Sequence, residues 1–173
     1  TLRALSLPAE GELTPHPISL YIQDSLVVSL QESLEDRFAA IEADVTQSTG
    51  RVRSLGADYL VYLLLDQLLE QYFALLEHLG EQVGDLEEQL FVAPAPARLQ
   101  EIHTLKADMI TLRRAIWPLR EVASRLERGD AFPLQPETAI YMRQLYEQII
   151  EIMDTVETLR DMVSDLMELY LSS

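Results

Sequence analysis

The first thirty residues alternate between apolar and polar positions, as β-strands with one buried face do. Three segments show this pattern, residues 2–7, 16–22 and 25–30, and prolines and a glycine separate the first from the second. The Gln23-Asp24 pair separates the second from the third and predicts a hairpin. Three strands make a small sheet, so we expect partner strands to come from before Thr1 or from elsewhere.

From Glu32 onward the apolar positions recur every three or four residues, which is the period of an amphipathic helix. This period predicts two short helical segments, one reaching about Gln47 and one around Val52. It also predicts two long helices over residues 58–91 and 97–127. Prolines between the long helices remove amide donors and restrict the preceding residues, so they separate the two.

A third long helix is predicted from near Pro136 to the end of the sequence. Its apolar residues alternate steps of four and three, which is a heptad seam over nearly four repeats: Leu145, Ile149, Ile152, Val156, Leu159, Val163, Leu166 and Tyr170. A helix over residues 136–173 is about 55 Å long. We expect it to pack against copies of itself or to project toward another part of the protein.

The charge of the chain excludes one class of partner. The sequence contains 13 Lys and Arg against 29 Asp and Glu, which gives a formal net charge of −16 at pH 7. Such a surface repels nucleic acid phosphates and anionic membrane surfaces and attracts cations. We therefore expect no nucleic acid partner.

Several kinds of chemistry lack the residues that they need. There is no Cys, which excludes disulfides and thiolate zinc sites, and His78 and His103 lack the spacing of a paired zinc ligand. The longest apolar stretch, residues 59–65, is far short of the roughly 20 residues of a membrane span. No nucleophile motif, phosphate loop or acid–base carboxylate pair is present, so we do not expect an enzyme.

Four stretches resemble the cytoplasmic helices of CorA-type magnesium channels, of the 2-TM-GxN metal ion channel family. They are residues 57–62 (ADYLVY), 116–122 (IWPLREV), 154–161 (DTVETLRD) and 170–173 (YLSS). The resemblance extends in order and spacing over residues 29–173, which makes it more specific than any single motif.

The resemblance implies an α+β fold that is mainly α. A few antiparallel strands are followed by two long antiparallel helices and a very long stalk helix. Residues 1–31 would be the last strands of an incomplete α/β layer, and residues 32–133 the connecting helices and the antiparallel pair. Residues 134–173 would be the stalk helix, leading toward a transmembrane segment that this sequence lacks.

The resemblance also implies a function. CorA channels are homopentamers that carry Mg²⁺, and also Co²⁺, across the inner membrane. This chain would lie on the cytoplasmic side and touch the membrane only through helices beyond Ser173. Mg²⁺ or another divalent cation bound between subunits would hold the channel closed.

Two residues are the candidate metal ligands. Mg²⁺ prefers oxygen ligands and keeps several waters, so one or two carboxylates at a subunit boundary suffice. Asp66 matches a position where the family offers a metal-facing aspartate. Glu168 matches an acidic position near the cytoplasmic mouth of the pore, where five copies would form a ring of carboxylates that concentrates cations.

The sequence departs from the family near the start of the stalk helix. Gln144 stands where the family carries the aspartate of an intersubunit metal site, and a neutral amide offers a weaker ligand without charge. Zinc transport within the same superfamily is one alternative function, because the selectivity loop that would exclude it is not in this sequence, and Gln144 adds weight to it. The other is a self-standing helical coiled-coil scaffold, which also explains the heptads and the acidic charge.

Overall fold

The computed structural model of the chain describes residues 1–6, 12–32, 37–47, 50–92, 95–130 and 132–172. Three strands, β1 (Leu2–Ser6), β2 (Thr14–Gln23) and β3 (Leu26–Gln31), form an antiparallel sheet in that order. The three predicted strands are confirmed, although Leu7, predicted to end the first, lies outside the described residues. The hairpin turn is formed by Asp24 and Ser25, one residue later than predicted, with Asp24 at a φ of 51°.

Five helices follow the sheet among the described residues. They are α1 (Ala39–Thr46), α2 (Val52–Leu55), α3 (Ala57–Val92), α4 (Pro96–Glu127) and α5 (Pro136–Ser172). The two short and three long helices predicted from the apolar period are confirmed, and so is the α+β, mainly α, fold class. Within the described part of the chain, each helix falls short of the length or the apolar content that spanning a membrane requires.

Helix α5 lies along both of the other long helices, whereas α3 and α4 touch each other much less. α3 and α5 run in the same direction, because Asp58 near the start of α3 accepts a hydrogen bond from Gln135 just before α5. α4 runs the opposite way, since Arg143 near the start of α5 pairs with Glu127 at the end of α4. The long helices therefore form a three-helix array with α5 shared by the other two.

The heptad seam of α5 is buried within the chain. Its residues from Leu145 to Leu166 belong to the hydrophobic core that α3 and α4 also contribute to. We expected this helix to pack against copies of itself or to project toward another part of the protein, and within the chain these seam positions pack against α3 and α4. α3 is nearly as long as α5, so the two neighbouring helices cover the seam over most of its length.

The sheet packs on the helices mainly through β1, while β2 also contacts α4 and β3 also contacts α3. Leu2, Ala4 and Ile18 are buried there. The prediction that the buried face of the hairpin includes Leu26 and Val28 was wrong, because both are exposed and Val27 packs against the core instead. The Tyr72 hydroxyl on α3 donates a 2.7 Å hydrogen bond to the carbonyl oxygen of Arg3 on β1. The sheet is thus fixed to the half of α3 that contains Asp66.

Candidate metal sites

Asp66 lies half-buried on α3, where Tyr62, one turn earlier, donates a hydrogen bond to its carboxylate. Burial raises the pKa of Asp66, the negative charge of Glu70 raises it further, and the hydrogen bond from Tyr62 lowers it. Burial and the charge of Asp66 raise the pKa of Tyr62 to about 12. The hydrogen-bond partner of Asp66 is therefore an uncharged phenol. It does not neutralise the carboxylate, whose negative charge can still attract a cation.

Three tyrosine rings hold this part of α3 against α5. The ring centroid of Tyr141 lies 5.3 Å from that of Tyr59 and 5.1 Å from that of Tyr62. These distances suit tilted and edge-on aromatic contacts. Because Tyr62 is held by Tyr59 and Tyr141, its hydroxyl is directed at Asp66 from a fixed ring.

Gln144 is exposed one turn after Tyr141 on α5. It borders an open cavity of about 530 Å³ between α2 and α5, whose charged lining residues are Arg51 and Glu137. Arg51 also hydrogen-bonds the Tyr141 hydroxyl and lies 6.0 Å from its ring centroid. The positive charge of Arg51 and the negative charge of Glu137 offset each other in this lining. Gln144 adds no charge, whereas an aspartate at this position would add a negative one.

Glu168 is exposed near the C-terminal end of α5. Gly80 on α3 lies beside Leu159 on α5, so Glu168 is level with the last turns of α3. Asp66 is therefore about 35 Å away along the helix axis. The structure does not bring the two predicted ligands together within one chain.

Among the described residues, no group of three or more His, Cys, Asp and Glu side chains is placed to hold a metal ion. Asp66 has a second carboxylate, Glu70, one turn away on α3 and close enough to influence its pKa. A cation there would find one or two carboxylates and would need water or a second copy of the chain for its other ligands.

Two buried carboxylates were not predicted, and both serve the fold. The Asp58 carboxylate accepts hydrogen bonds from the amides of Tyr59 and Gln135, at 3.0 and 2.8 Å. Asp108 accepts a 2.7 Å hydrogen bond from the amide of Leu13. Asp58 lies two residues after Gly56, in the first turn of a helix, which is a recognisable signal. Nothing near Asp108 in the sequence indicates Leu13 as its partner.

The whole chain, residues 1–173, matches the family model described as CorA-like Mg²⁺ transporter protein. The chain belongs to the CorA family. The resemblance stated from the four sequence stretches is thereby confirmed.

The cobalt/magnesium transport protein CorA of Thermotoga maritima is 40% identical over 162 residues, which cover 94% of this chain and 46% of that protein. The CorA protein of Methanocaldococcus jannaschii is 20% identical over 94% of this chain and 52% of its own length. A zinc transport protein ZntB of Yersinia enterocolitica is 32% identical over 63% of this chain and 32% of its own length. The chain thus spans about half the length of the CorA relatives.

The CorA fold is also found in a solved structure. The soluble domain of CorA from Methanocaldococcus jannaschii superposes with a TM-score of 0.85 over 99% of this chain and 68% of that chain, at 18% identity. At this identity the likeness concerns the fold alone, and it agrees with the strand and helix order described above.

Proposed function

We propose that this chain is the cytoplasmic, metal-sensing part of a CorA-type transporter for Mg²⁺ and Co²⁺ in the inner membrane. Membership of the CorA family and the cobalt/magnesium transport relative at 40% identity support this assignment. In the proposed mechanism, five copies assemble around one axis, and a divalent cation bound between copies favours the closed state. Loss of the cation then shifts the population toward the open state.

The observation that supports this proposal most is the electrostatic setting of Asp66. Its pKa is raised by burial and by the negative charge of Glu70, so the ionised carboxylate is costly in the unbound chain. A divalent cation next to both groups removes that cost and favours the ionised form. Magnesium suits such a site, because it binds through one or two carboxylates and keeps its remaining waters.

Glu168 has a second role in the proposed channel. It is exposed near the end of α5, which the family resemblance places closest to the membrane. Five copies around the axis would place five carboxylates at one height. Such a ring raises the local concentration of hydrated cations at the entrance of the pore.

Sedimentation with millimolar Mg²⁺ and then with a chelator tests the sensing role. We expect a larger assembly with Mg²⁺, and we expect the Asp66→Asn variant to lose this response, because an amide cannot supply the anionic oxygen. Asp44→Asn on the exposed face of α1 is the matched control and should respond like the parent chain. An assembly whose size does not change with Mg²⁺ would contradict the proposal. So would an Asp66→Asn variant whose assembly still grows when Mg²⁺ is added.

Zinc transport is the second candidate, because zinc transport relatives match 63% of this chain at up to 32% identity. The neutral Gln144 agrees with a different metal preference. Uptake of Mg²⁺, Co²⁺ and Zn²⁺ into vesicles that contain the whole transporter separates the two functions. We expect uptake of Mg²⁺ and Co²⁺. Uptake of Zn²⁺ alone would contradict the magnesium and cobalt function and support zinc transport.

A further inference from the structure

The charges of this chain are divided unevenly among the three long helices. α3 contains eight Asp and Glu and no Lys or Arg, whereas α4 contains six Lys and Arg and four Asp and Glu. α5 lies along both helices, and α3 and α4 touch each other little. The most acidic helix and the basic helix therefore present their outer faces on different sides of the molecule.

The outer face of α3 carries an acidic stripe. Exposed residues follow one another at steps of three and four along this face: Glu70, Ala74, Glu77, Glu81, Asp85 and Glu88. From Glu77 onward, none of these acids forms an ion pair with a residue that the structure describes. Among the described residues, the stripe thus carries negative charge that no ion pair compensates.

The outer face of α4 carries a basic stripe with two apolar residues. Its members are again exposed and spaced by three and four: His103, Lys106, Ile110, Arg114 and Trp117. Trp117 is 45% exposed, and the Arg113 guanidinium lies 5.1 Å from its ring centroid. Neither Lys106 nor Arg114 forms an ion pair with the described residues, so both are available to a partner.

Two contacts through α5 show which residues of α3 and α4 lie at the same height. Arg113 on α4 is level with Glu157 on α5, since its Nε lies 3.3 Å from the Glu157 Oε1. Gly80 on α3 is level with Leu159, whose Cδ2 is 3.9 Å from the position of a Cβ on Gly80. Arg113 is therefore level with about His78, two residues before Gly80.

α3 and α4 are antiparallel, and both rise by the same distance per residue. A residue one position later on α4 is therefore level with a residue one position earlier on α3. This relation places the basic and acidic stripes in register. The level pairs are His103 with Glu88, Lys106 with Asp85, Ile110 with Glu81, Arg114 with Glu77, and Trp117 with Ala74. Three pairs join a basic and an acidic side chain, and the Ala74 methyl leaves room for the Trp117 indole.

We propose that the acidic stripe of one copy docks on the basic stripe of the next copy, as the lateral contact of a closed ring. The inference rests on the proposed homo-oligomer. In a ring whose axis runs along the helices, residues of neighbouring copies meet at equal height, so the charges pair as the register requires. A contact between two different faces is heterologous, and it forms a ring when the rotation between neighbouring copies closes. The occupant of the basic stripe is thus a second copy of this chain.

Charge reversal tests this contact, with sedimentation as the measurement. Lys106→Glu with Arg114→Glu places acids opposite Asp85 and Glu77, and Glu77→Arg with Asp85→Arg places cations opposite Arg114 and Lys106. We expect each double variant to weaken assembly by about tenfold or more, because like charges then face each other. The chain with all four changes should assemble again. A four-fold variant as weak as the doubles, or doubles that assemble like the parent, would overturn the contact.

Cross-linking gives a second measurement, since the chain has no Cys of its own. A chain with Lys106→Cys and Asp85→Cys joins level positions on the two outer faces. The control carries Lys106→Cys and Glu70→Cys, which lie about 22 Å apart in height. We expect a ladder of disulfide-linked multimers at least about fivefold stronger for the level pair. Equal ladders, or none in an assembled sample, would overturn the contact.

The outcomes for the contact and for the metal-sensing function are distinguishable. Disulfide-linked multimers of the Lys106→Cys and Asp85→Cys chain, in an assembly whose size does not change with Mg²⁺, support the contact and contradict the sensing function. A Mg²⁺-dependent assembly without those multimers overturns the contact alone. A chain that stays monomeric in both conditions overturns both.

Discussion

The pKa of Asp66 is set by burial and by two neighbouring side chains that act in opposite directions. Burial and Glu70 raise its pKa, and the hydrogen bond from Tyr62 lowers it. A carboxyl must be ionised to bind a divalent cation, so protons compete with metal at a higher pH than for an exposed aspartate. Metal binding at Asp66 should therefore weaken as the pH falls through its raised pKa.

We predict opposite pKa changes from the two polar neighbours of Asp66. Tyr62→Phe removes the hydrogen bond to the carboxylate and should raise the pKa of Asp66. Glu70→Gln removes a negative charge and should lower it. Carbon NMR titration of the Asp66 carboxyl group measures both, with Glu42→Gln on α1 as a control that leaves the pKa unchanged. Shifts of the same sign in the two variants would contradict this account.

At the scale of elements, α5 is stabilised by two different neighbours. Its apolar seam is covered by α3 and α4, while its polar face remains exposed. A heptad pattern predicts that one face of a helix is buried. That face can be covered by another helix of the same chain or by a second copy of the chain. The location of the partner is thus a tertiary property.

We predict that the seam of α5 contributes strongly to the stability of the single chain. Ile152 is fully buried in the seam, and Ile152→Ala should lower the free energy of unfolding by about 2 to 5 kcal/mol. Ile140 on the same helix is 62% exposed, and Ile140→Ala should change it by no more than about 0.5 kcal/mol. Urea unfolding of the monomer measures both. Equal costs would mean that the seam is not buried in the monomer.

At the scale of the whole molecule, a net charge of −16 opposes the compact state. The acidic stripe concentrates this repulsion on one face of α3, where the described residues include no paired cation. Cations, dissolved salt or the basic stripe of another copy can each reduce it. The negative charge of this stripe thus lowers the stability of the isolated chain.

We predict that monovalent salt stabilises the monomer against urea. Raising the ionic strength from about 0.01 M to about 1 M shortens the Debye length from about 30 Å to about 3 Å, which screens the stripe. The free energy of unfolding should rise, and it should rise less in a variant whose last four stripe acids are amides. The variant carries Glu77→Gln, Glu81→Gln, Asp85→Asn and Glu88→Gln. An equal rise in parent and variant would show that the repulsion lies elsewhere.

The sequence alone determined the elements of this protein, because their causes are local. The period of apolar residues and the prolines between periodic segments predict all five helices, and alternation predicts the three strands. Local motifs such as residues 116–122 also indicated the CorA family. The composition fixed the negative charge and excluded thiol chemistry.

The tertiary structure decided what depends on residues far apart in the chain. Asp108 receives its hydrogen bond from Leu13, 95 positions away, and no local pattern predicts such a pairing. The burial of the α5 seam likewise depends on the packing of α3 and α4 against α5, which are separate segments of the chain. Asp66 was predicted as a ligand by family position, but its raised pKa is due first to burial, which depends on neighbours in space.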